Sequence, residues 1–207
     1  MKKNEPIKER MTAAQRKDQI VKVATALFAA NGFSGTTTRQ IADAAGISEA
    51  VIYRHFANKD ALYDAIINAR CLDTQGNSRL LVKLKGKEGK AFFKEIATFL
   101  INEHKHDDSF LRLLLFSALE GHGLSEKFLN TKSIELFEHI QGQIKGLIKN
   151  NVFRDVDPLI VSRAFIGMVI HYSISQEIFG QKRHFKRSDS EVVDAFVDIF
   201  FDGILKR

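Results

Sequence analysis

Proline is almost absent from this chain of 207 residues, which contains only Pro6 and Pro158. A proline inside a helix removes a backbone hydrogen bond and clashes with the preceding turn, so a chain with so few can form long, uninterrupted helices. Apolar residues recur at the spacing of one buried helical face through most of the sequence, and strand signals are scarce. We therefore predict an all-α fold.

The composition indicates a soluble protein of a reducing compartment. Hydrophobic residues make up 44% of the chain and charged residues 27%, as in globular proteins. Cys71 is the only cysteine, which excludes an intrachain disulfide, and its simplest role is that of a small buried side chain. The basic N-terminus precedes no apolar segment, and the longest apolar run, Ala164–Ile170, is far shorter than the roughly 20 residues that span a bilayer. We expect a cytoplasmic protein without membrane contact.

Four helix starts are marked near the N-terminus. Thr12 has the spacing of a capping box with Gln15, and a helix with one apolar face follows as far as the stop signal Asn31-Gly32. Three short helices come next, beginning after Thr37, Ser48 and Asn58. Gly46 ends the first of these three, and small alanines flank it. Short helices that cross closely at a glycine turn are typical of a helix-turn-helix.

The second helix of such a motif lies in the major groove of DNA, and here it presents hydrogen-bonding side chains, methyl groups and aromatic rings. The ends of the neighbouring helices offer free N–H groups and cations for phosphates. A formal net charge of +6 and a pI near 9.4 agree with a polyanionic partner. The candidate DNA contacts are Thr37, Thr38, Arg39, Ser48, Glu49, Ala50, Val51, Tyr53, Arg54, His55 and Lys59.

The segment from about residue 14 to residue 74 resembles the tetracycline-repressor (TetR) family, whose signature is similar to T-T-x-x-I-A-x-x-A-G-[IV]-S-x-x-x-[LI]-Y-x-H-F-x-x-K-x-x-L. One departure is Ala50, where glycine is frequent and where a methyl group limits close approach of the helix to DNA. The residues that match are Thr37, Thr38, Ile41, Ala42, Ala45, Gly46, Ile47, Ser48, Ile52, Tyr53, His55, Phe56, Lys59 and Leu62.

The resemblance implies roles for these positions. In members of the family, the positions of Thr38, Ser48, Tyr53, His55 and Lys59 commonly contact DNA, mostly its phosphates. The variable positions that set base preference correspond to Arg39, Glu49, Val51 and Arg54. The resemblance also implies a repressor that dimerises through its last two long helices and holds a small molecule in its C-terminal domain.

Three regions follow from these patterns. Residues 1–13 form an N-terminal arm, residues 14–74 form the three-helix DNA-binding domain with its motif at about 37–56, and residues 75–207 form a larger helical domain for ligand binding and dimerisation. Longer and more apolar helices are predicted in this last region at Lys90–His104, Asp108–Glu120, Ser125–Asn150, Pro158–Gly180 and Asp189–Leu205.

A dimer is expected because one recognition helix contacts too few base pairs to single out a site in a genome. Two copies on a symmetric operator solve this, and the last two helices have apolar faces too wide for one neighbour. The alternative is that these residues are core within one chain. The predicted interface residues are Phe165, Met168, Val193, Phe196, Val197, Phe200 and Ile204.

Seventeen phenylalanines and no tryptophan indicate a large apolar interior in the C-terminal region. Ordinary core explains most of them, and a cavity for a small, mostly apolar effector is the functional alternative. The candidate pocket residues are Phe99, Phe116, Phe137, His139, His171 and Tyr172.

Other classes of function have weaker support. No zinc signature, phosphate loop or serine motif indicates an enzyme, and we expect no cofactor and no metal. The two alternatives that stay open are a helical ligand-binding protein without DNA binding and a helical enzyme whose catalytic residues meet only in space.

Overall fold

The structure is a computed structural model that describes residues 11–72, 74–123, 126, 128, 130 and 132–206. Within them no β-strand forms, apart from one isolated antiparallel bridge between Phe153 and Leu205. The all-α prediction is therefore confirmed. The described α-helices are α1 (Ala13–Asn31), α2 (Thr38–Ala45), α3 (Glu49–His55), α4 (Lys59–Leu72), α5 (Thr74–Leu84), α6 (Gly89–His106), α7 (Ser109–Glu120), α8 (Lys132–Lys149), α9 (Pro158–Ser173) and α10 (Asp189–Ile204).

The chain forms two compact units, one ending at Asn68 and the other beginning at Ala69. The sequence placed the boundary after residue 74. The proposed N-terminal arm lies largely outside the described residues, and so does the side chain of Cys71.

The first unit is built on the predicted helix starts. The Thr12 hydroxyl accepts a hydrogen bond from the Gln15 N–H at 3.2 Å, and the Gln15 side chain accepts one from the Thr12 N–H at 2.8 Å. The same reciprocal pair forms between Thr37 and Gln40. These bonds satisfy N–H groups that the first turn of a helix leaves without partners. Most of the predicted inward residues are buried: Ile20, Ala24, Phe28, Ile41, Ala42, Ala45, Ile52, Phe56, Leu62 and Ile66. Val23, Leu27 and Ile47, also predicted to face inward, are only partly buried, and Ala69 is exposed.

In the second unit, α6 packs against α9 and α10, and α9 also packs against α8. Phe93 of α6 is fully buried at the centre of this bundle. Its ring centroid lies 5.0 Å from that of Phe165, 4.9 Å from that of Phe200 and 5.5 Å from that of Phe201. Such edge-on and tilted ring contacts add to the free energy gained by burying the side chains.

The same packing corrects the predicted dimer interface. Five of its residues lie inside the core of the second unit, because α6 covers the face of α10 that carries most of them: Phe165, Val193, Val197, Phe200 and Ile204. Met168 and Phe196 are half-buried against this core. Periodicity identified the stripe but not the neighbour that covers it.

Other apolar residues of α9 and α10 are exposed in this chain. Ile160 is 66% exposed and Ile199 is 63% exposed. Ala164 and Gly167 follow Ile160 at helical spacing and are also exposed. A Cβ atom built on Gly167 would meet nothing within 4 Å in this chain. We call Ile160, Ala164, Gly167 and Ile199 the outer apolar face.

The segment Pro158–Ile178 has the length and composition of a membrane span, with a mean hydropathy of 1.3. In this structure it is a helix of the bundle that buries Phe165 and Val169. Asp157 caps it by accepting a hydrogen bond from the Leu159 N–H at 2.8 Å. Its α-helical part ends at Ser173, and a π-helical segment follows at Ile174–Ile178 where the sequence predicted a regular helix.

Candidate DNA-binding interface

The turn between α2 and α3 depends on Gly46. This residue has a φ of +66° in the left-handed region, where side chains with a Cβ atom are strained. Its N–H donates to the Asp43 carbonyl at 3.1 Å, which closes the end of α2. The chain then passes Ile47 and Ser48 and enters α3 at Glu49. This short connection brings α2 and α3 together as a helix-turn-helix.

Ser48 occupies the predicted cap position, with extended backbone angles, but its hydroxyl makes no capping hydrogen bond. The side chain is exposed, so the hydroxyl is free to meet a phosphate or a base edge. Asn58 does cap its helix, because its side-chain oxygen accepts a hydrogen bond from the Ala61 N–H at 2.7 Å.

Helix α3 has one buried face and one outward face. Ile52 and Phe56 anchor it to the core, while Tyr53 remains 50% exposed beside the exposed Arg54. Ala50 is exposed as well, and Glu49, Val51 and His55 are partly exposed. The predicted DNA contacts of this helix therefore share a surface that a major groove could receive.

A hydrogen-bond network joins the starts of α2 and α3. The Thr38 hydroxyl donates to the Glu49 carboxylate at 2.7 Å, and it lies 3.2 Å from the Tyr53 hydroxyl. Because the Thr38 proton points to Glu49, the Tyr53 hydroxyl acts as the donor to Thr38. Glu49 was predicted to set base preference, and in the structure it holds two other candidate contacts in position. Residue spacing alone does not reveal such a bond across the turn.

Lys59 makes contacts that the sequence did not suggest. Its ammonium donates to the backbone carbonyls of Phe33 and Thr36, both at 2.9 Å, and lies 4.1 Å from the centroid of the Phe33 ring. These bonds tie the start of α4 to the loop between α1 and α2. The phosphate contact assigned to Lys59 stays a prediction. In the structure, Lys59 holds this loop through its two hydrogen bonds.

Replacing Lys59 with methionine is expected to destabilise the first unit by about 1.5–3 kcal/mol, the range for hydrogen bonds made by a charged group. Affinity for all duplexes should fall together, because the loop supports the first turn of α2. Chemical denaturation and duplex titration measure the two effects. Lys22→Met on α1 is the matched control, since this exposed lysine forms no ion pair with the described residues. Equal stability of the two variants would contradict the proposed loop-holding role.

The remaining candidate DNA contacts make fewer bonds to the described part of the protein. Arg39 is exposed in the first turn of α2, next to the capping residue Thr37. Arg54 is exposed in the last turn of α3, and its guanidinium forms no ion pair with the described residues. An uncommitted guanidinium can form paired hydrogen bonds with guanine or with a phosphate.

The predicted pocket residues do not form one cluster. His139 and His171 are exposed. The guanidinium of Arg163 lies 5.5 Å from the centroid of the Phe137 ring, and Phe99 is half-buried against the core. Of the predicted pocket residues, only Tyr172 lines the cavity at the C-terminal end of α6. In the described part of the chain, no group of three or more His, Cys, Asp or Glu side chains is arranged to hold a metal ion.

The helix-turn-helix and its cationic, partly preorganised outer face define a DNA-binding protein. Residues 20–66 match the model of the family described as bacterial regulatory proteins, tetR family. The match falls within the segment whose sequence signature resembles this family, and it confirms that resemblance for the DNA-binding region.

Similarity to known proteins extends beyond the matched segment. The HTH-type transcriptional repressor KstR2 of Rhodococcus jostii (strain RHA1) is 28% identical over 146 residues, which are 69% of this chain and 70% of KstR2. The nucleoid occlusion factor SlmA of Escherichia coli O1:K1 / APEC is 27% identical over 152 residues, 71% of this chain and 73% of SlmA. The crystal structure of AibR with isovaleryl coenzyme A and operator DNA has a TM-score of 0.70 at 20% identity, covering 90% of this chain and 98% of AibR.

Proposed function

We propose that this protein is a cytoplasmic repressor that binds a palindromic operator as a homodimer and is released by a small effector molecule. The observation that carries the proposal is the outward face of α3. There the Arg54 guanidinium forms no ion pair with the described residues, and the Tyr53 hydroxyl bonds to Thr38. The chain acts by binding, so its output is the occupancy of an operator and not a chemical reaction.

The homodimer is supported by the outer apolar face. Ile160 and Ile199 are large aliphatic side chains that one chain leaves mostly in water. The exposed Gly167 lets a second helix approach closely, because its surface has no Cβ atom. Two copies of this face related by a two-fold axis would cover each other, as in symmetric dimers generally. The half-buried Met168 and Phe196 could contribute at its edge.

Repression and release by an effector are supported by relatives. KstR2 is named as a repressor, and AibR has been solved with both isovaleryl coenzyme A and operator DNA. An effector releases DNA only if it binds the DNA-incompetent conformation more tightly than the competent one. A ligand with equal affinity for both conformations would leave operator binding unchanged.

Selection of bound sequences from a random duplex library tests the proposal. We expect a two-fold symmetric consensus, whose half-sites lie about 34–36 Å apart or a multiple of that distance. Binding should weaken steeply as salt rises, because phosphate contacts release counterions. No enrichment, even at low salt, would overturn the proposal and favour a helical ligand-binding protein without DNA binding.

Arg54→Ala is expected to change the selected consensus, with a loss of discrimination of about 1–3 kcal/mol at one base pair of each half-site. Tyr53→Phe provides the comparison, because it removes a hydroxyl that bonds to Thr38 at the start of α2 and is not assigned to a base edge. This second variant should weaken binding to all duplexes by a similar factor. An unchanged consensus for Arg54→Ala would place its guanidinium on a phosphate.

A further inference from the structure

A cavity of about 240 Å³ lies in the second unit, between the C-terminal end of α6 and the segment that joins α9 to α10. Ile101, Tyr172 and Phe185 supply its apolar walls. Its volume is below the roughly 300–1,000 Å³ typical of sites for drug-sized ligands. The cavity therefore fits a small molecule with a short apolar body.

Two polar side chains that line this cavity have no hydrogen-bond partner among the described residues. Gln176 is only 8% exposed, and its amide makes no side-chain hydrogen bond with any described residue. The Tyr172 hydroxyl likewise has no hydrogen-bond partner among the described residues. Burial raises the pKa of this hydroxyl, which therefore stays protonated and able to donate at neutral pH. A few convergent polar groups in an apolar cavity are the usual means of orienting a ligand.

The rim of the cavity has an excess of positive charge. Four cationic side chains line it, from Lys105, Lys182, Lys186 and Arg187, against the carboxylates of Glu177 and Asp189. Lys105 pairs with Asp189 at 2.8 Å, Lys182 pairs with Glu177, and Arg187 lies 3.7 Å from Glu191 outside the cavity. Lys186 forms no ion pair with the described residues. Its ammonium is available to an anion at the mouth.

The backbone at this cavity is irregular. Gln176 and Glu177 belong to the π-helical segment Ile174–Ile178, which continues α9 with a wider turn. This segment ends the helix, where π-turns also occur in other proteins. Here the wider turn places Gln176 and Glu177 together in the lining. This backbone feature is independent of the cavity's charge.

We propose that this cavity is the effector site and that it takes a small organic anion with a short apolar body. Gln176 and the Tyr172 hydroxyl bind its polar group, Lys186 attracts its charge, and Ile101 and Phe185 contact its apolar part. This inference rests on the proposed function, because only an effector-responsive regulator needs such a site. It replaces the predicted pocket, with which it shares Tyr172.

Binding is tested on the full chain with four probes: isovalerate, phenylacetate, the neutral amide isovaleramide and inorganic phosphate. We expect at least one carboxylate to raise the melting temperature and to lower affinity for the selected operator duplex. The neutral amide should bind at least about tenfold more weakly than isovalerate, because it lacks the charge. No binding by either carboxylate, or binding of phosphate alone, would overturn the proposal.

Two variants locate the site. Gln176→Leu keeps a side chain of similar size and removes the amide, and Lys186→Ala removes the charge at the mouth. Each should weaken carboxylate binding by about tenfold or more, the size of a hydrogen bond to a charged group. Lys149→Ala is the matched control, because Lys149 is exposed on α8 and does not line the cavity. If all three variants bound the carboxylate as tightly as the unmodified protein does, this location of the site would be wrong.

The failure of this inference can be distinguished from that of the proposed function. If the protein without probe selects a symmetric duplex and no carboxylate binds, the proposed repressor function stands. The proposal that this cavity is the effector site would then be wrong. If a carboxylate binds but no duplex is selected, the cavity is a ligand site. The proposals that it is an effector site and that the protein is a repressor would then both be wrong. The circular dichroism spectrum and the melting temperature of Gln176→Leu without probe, compared with those of the unmodified protein, verify that its fold is intact.

Discussion

Aspartate in place of both Ile160 and Ile199 is expected to give a monomer whose operator affinity is at least about 100-fold lower. Both side chains lie on the outer apolar face, where a second copy would bury them. Burying an unpaired carboxylate costs several kcal/mol. Each substitution occurs twice in a symmetric interface, once in each subunit, so this cost is incurred twice. A monomer also loses the high effective concentration that the first half-site gives to the second subunit. Sedimentation equilibrium measures the mass, and fluorescence anisotropy measures operator binding.

Val82→Asp is the matched control for this double variant. Val82 is 75% exposed on α5 and lies outside the outer apolar face. It should leave both the oligomeric state and the operator affinity unchanged. A dimer that survives the Ile160 and Ile199 substitutions would exclude this face as the interface.

Phe93→Ala is expected to destabilise the second unit by about 3–5 kcal/mol, the range for removing a large aromatic side chain from a core. Phe93 is fully buried and contacts rings of both α9 and α10, so its loss leaves a cavity that three helices would have to close. Because the outer apolar face belongs to α9 and α10, dimerisation should weaken as well. Urea denaturation followed by circular dichroism measures the loss of stability.

Phe179→Ala provides the comparison for the core substitution. Phe179 is 63% exposed, so the same chemical change should alter stability by no more than about 0.5 kcal/mol. A similar loss of stability in both variants would show that the Phe93 cluster is not the main source of stability in this unit.

The fold could be predicted from the sequence wherever local chemistry determines structure. The capping boxes that begin at Thr12 and Thr37 and the left-handed Gly46 were visible as short patterns, and each is present in the structure. The bonds that form them span only three or four residues. The buried face of each N-terminal helix was equally local, because periodicity within one helix defines it.

The features that could not be predicted depend on contacts between distant residues. Periodicity showed that α10 is apolar on a wide face but not that α6 covers the part carrying Val197, which was assigned to the dimer. The Lys59 contact with Phe33 spans 26 residues, so its position at a helix start and the family resemblance indicated only a phosphate contact. The cavity depends on a π-turn at Gln176, where the sequence favoured a regular helix.

The bonds among Thr38, Glu49 and Tyr53 have a consequence for the kinetics of operator recognition. Side chains that are already held in place lose little conformational entropy when DNA arrives, so association needs no slow rearrangement of this part of the surface. The protein should then associate with operators of different sequence at similar rates. We expect them to differ mainly in residence time, with the preferred sequence retaining the protein longest.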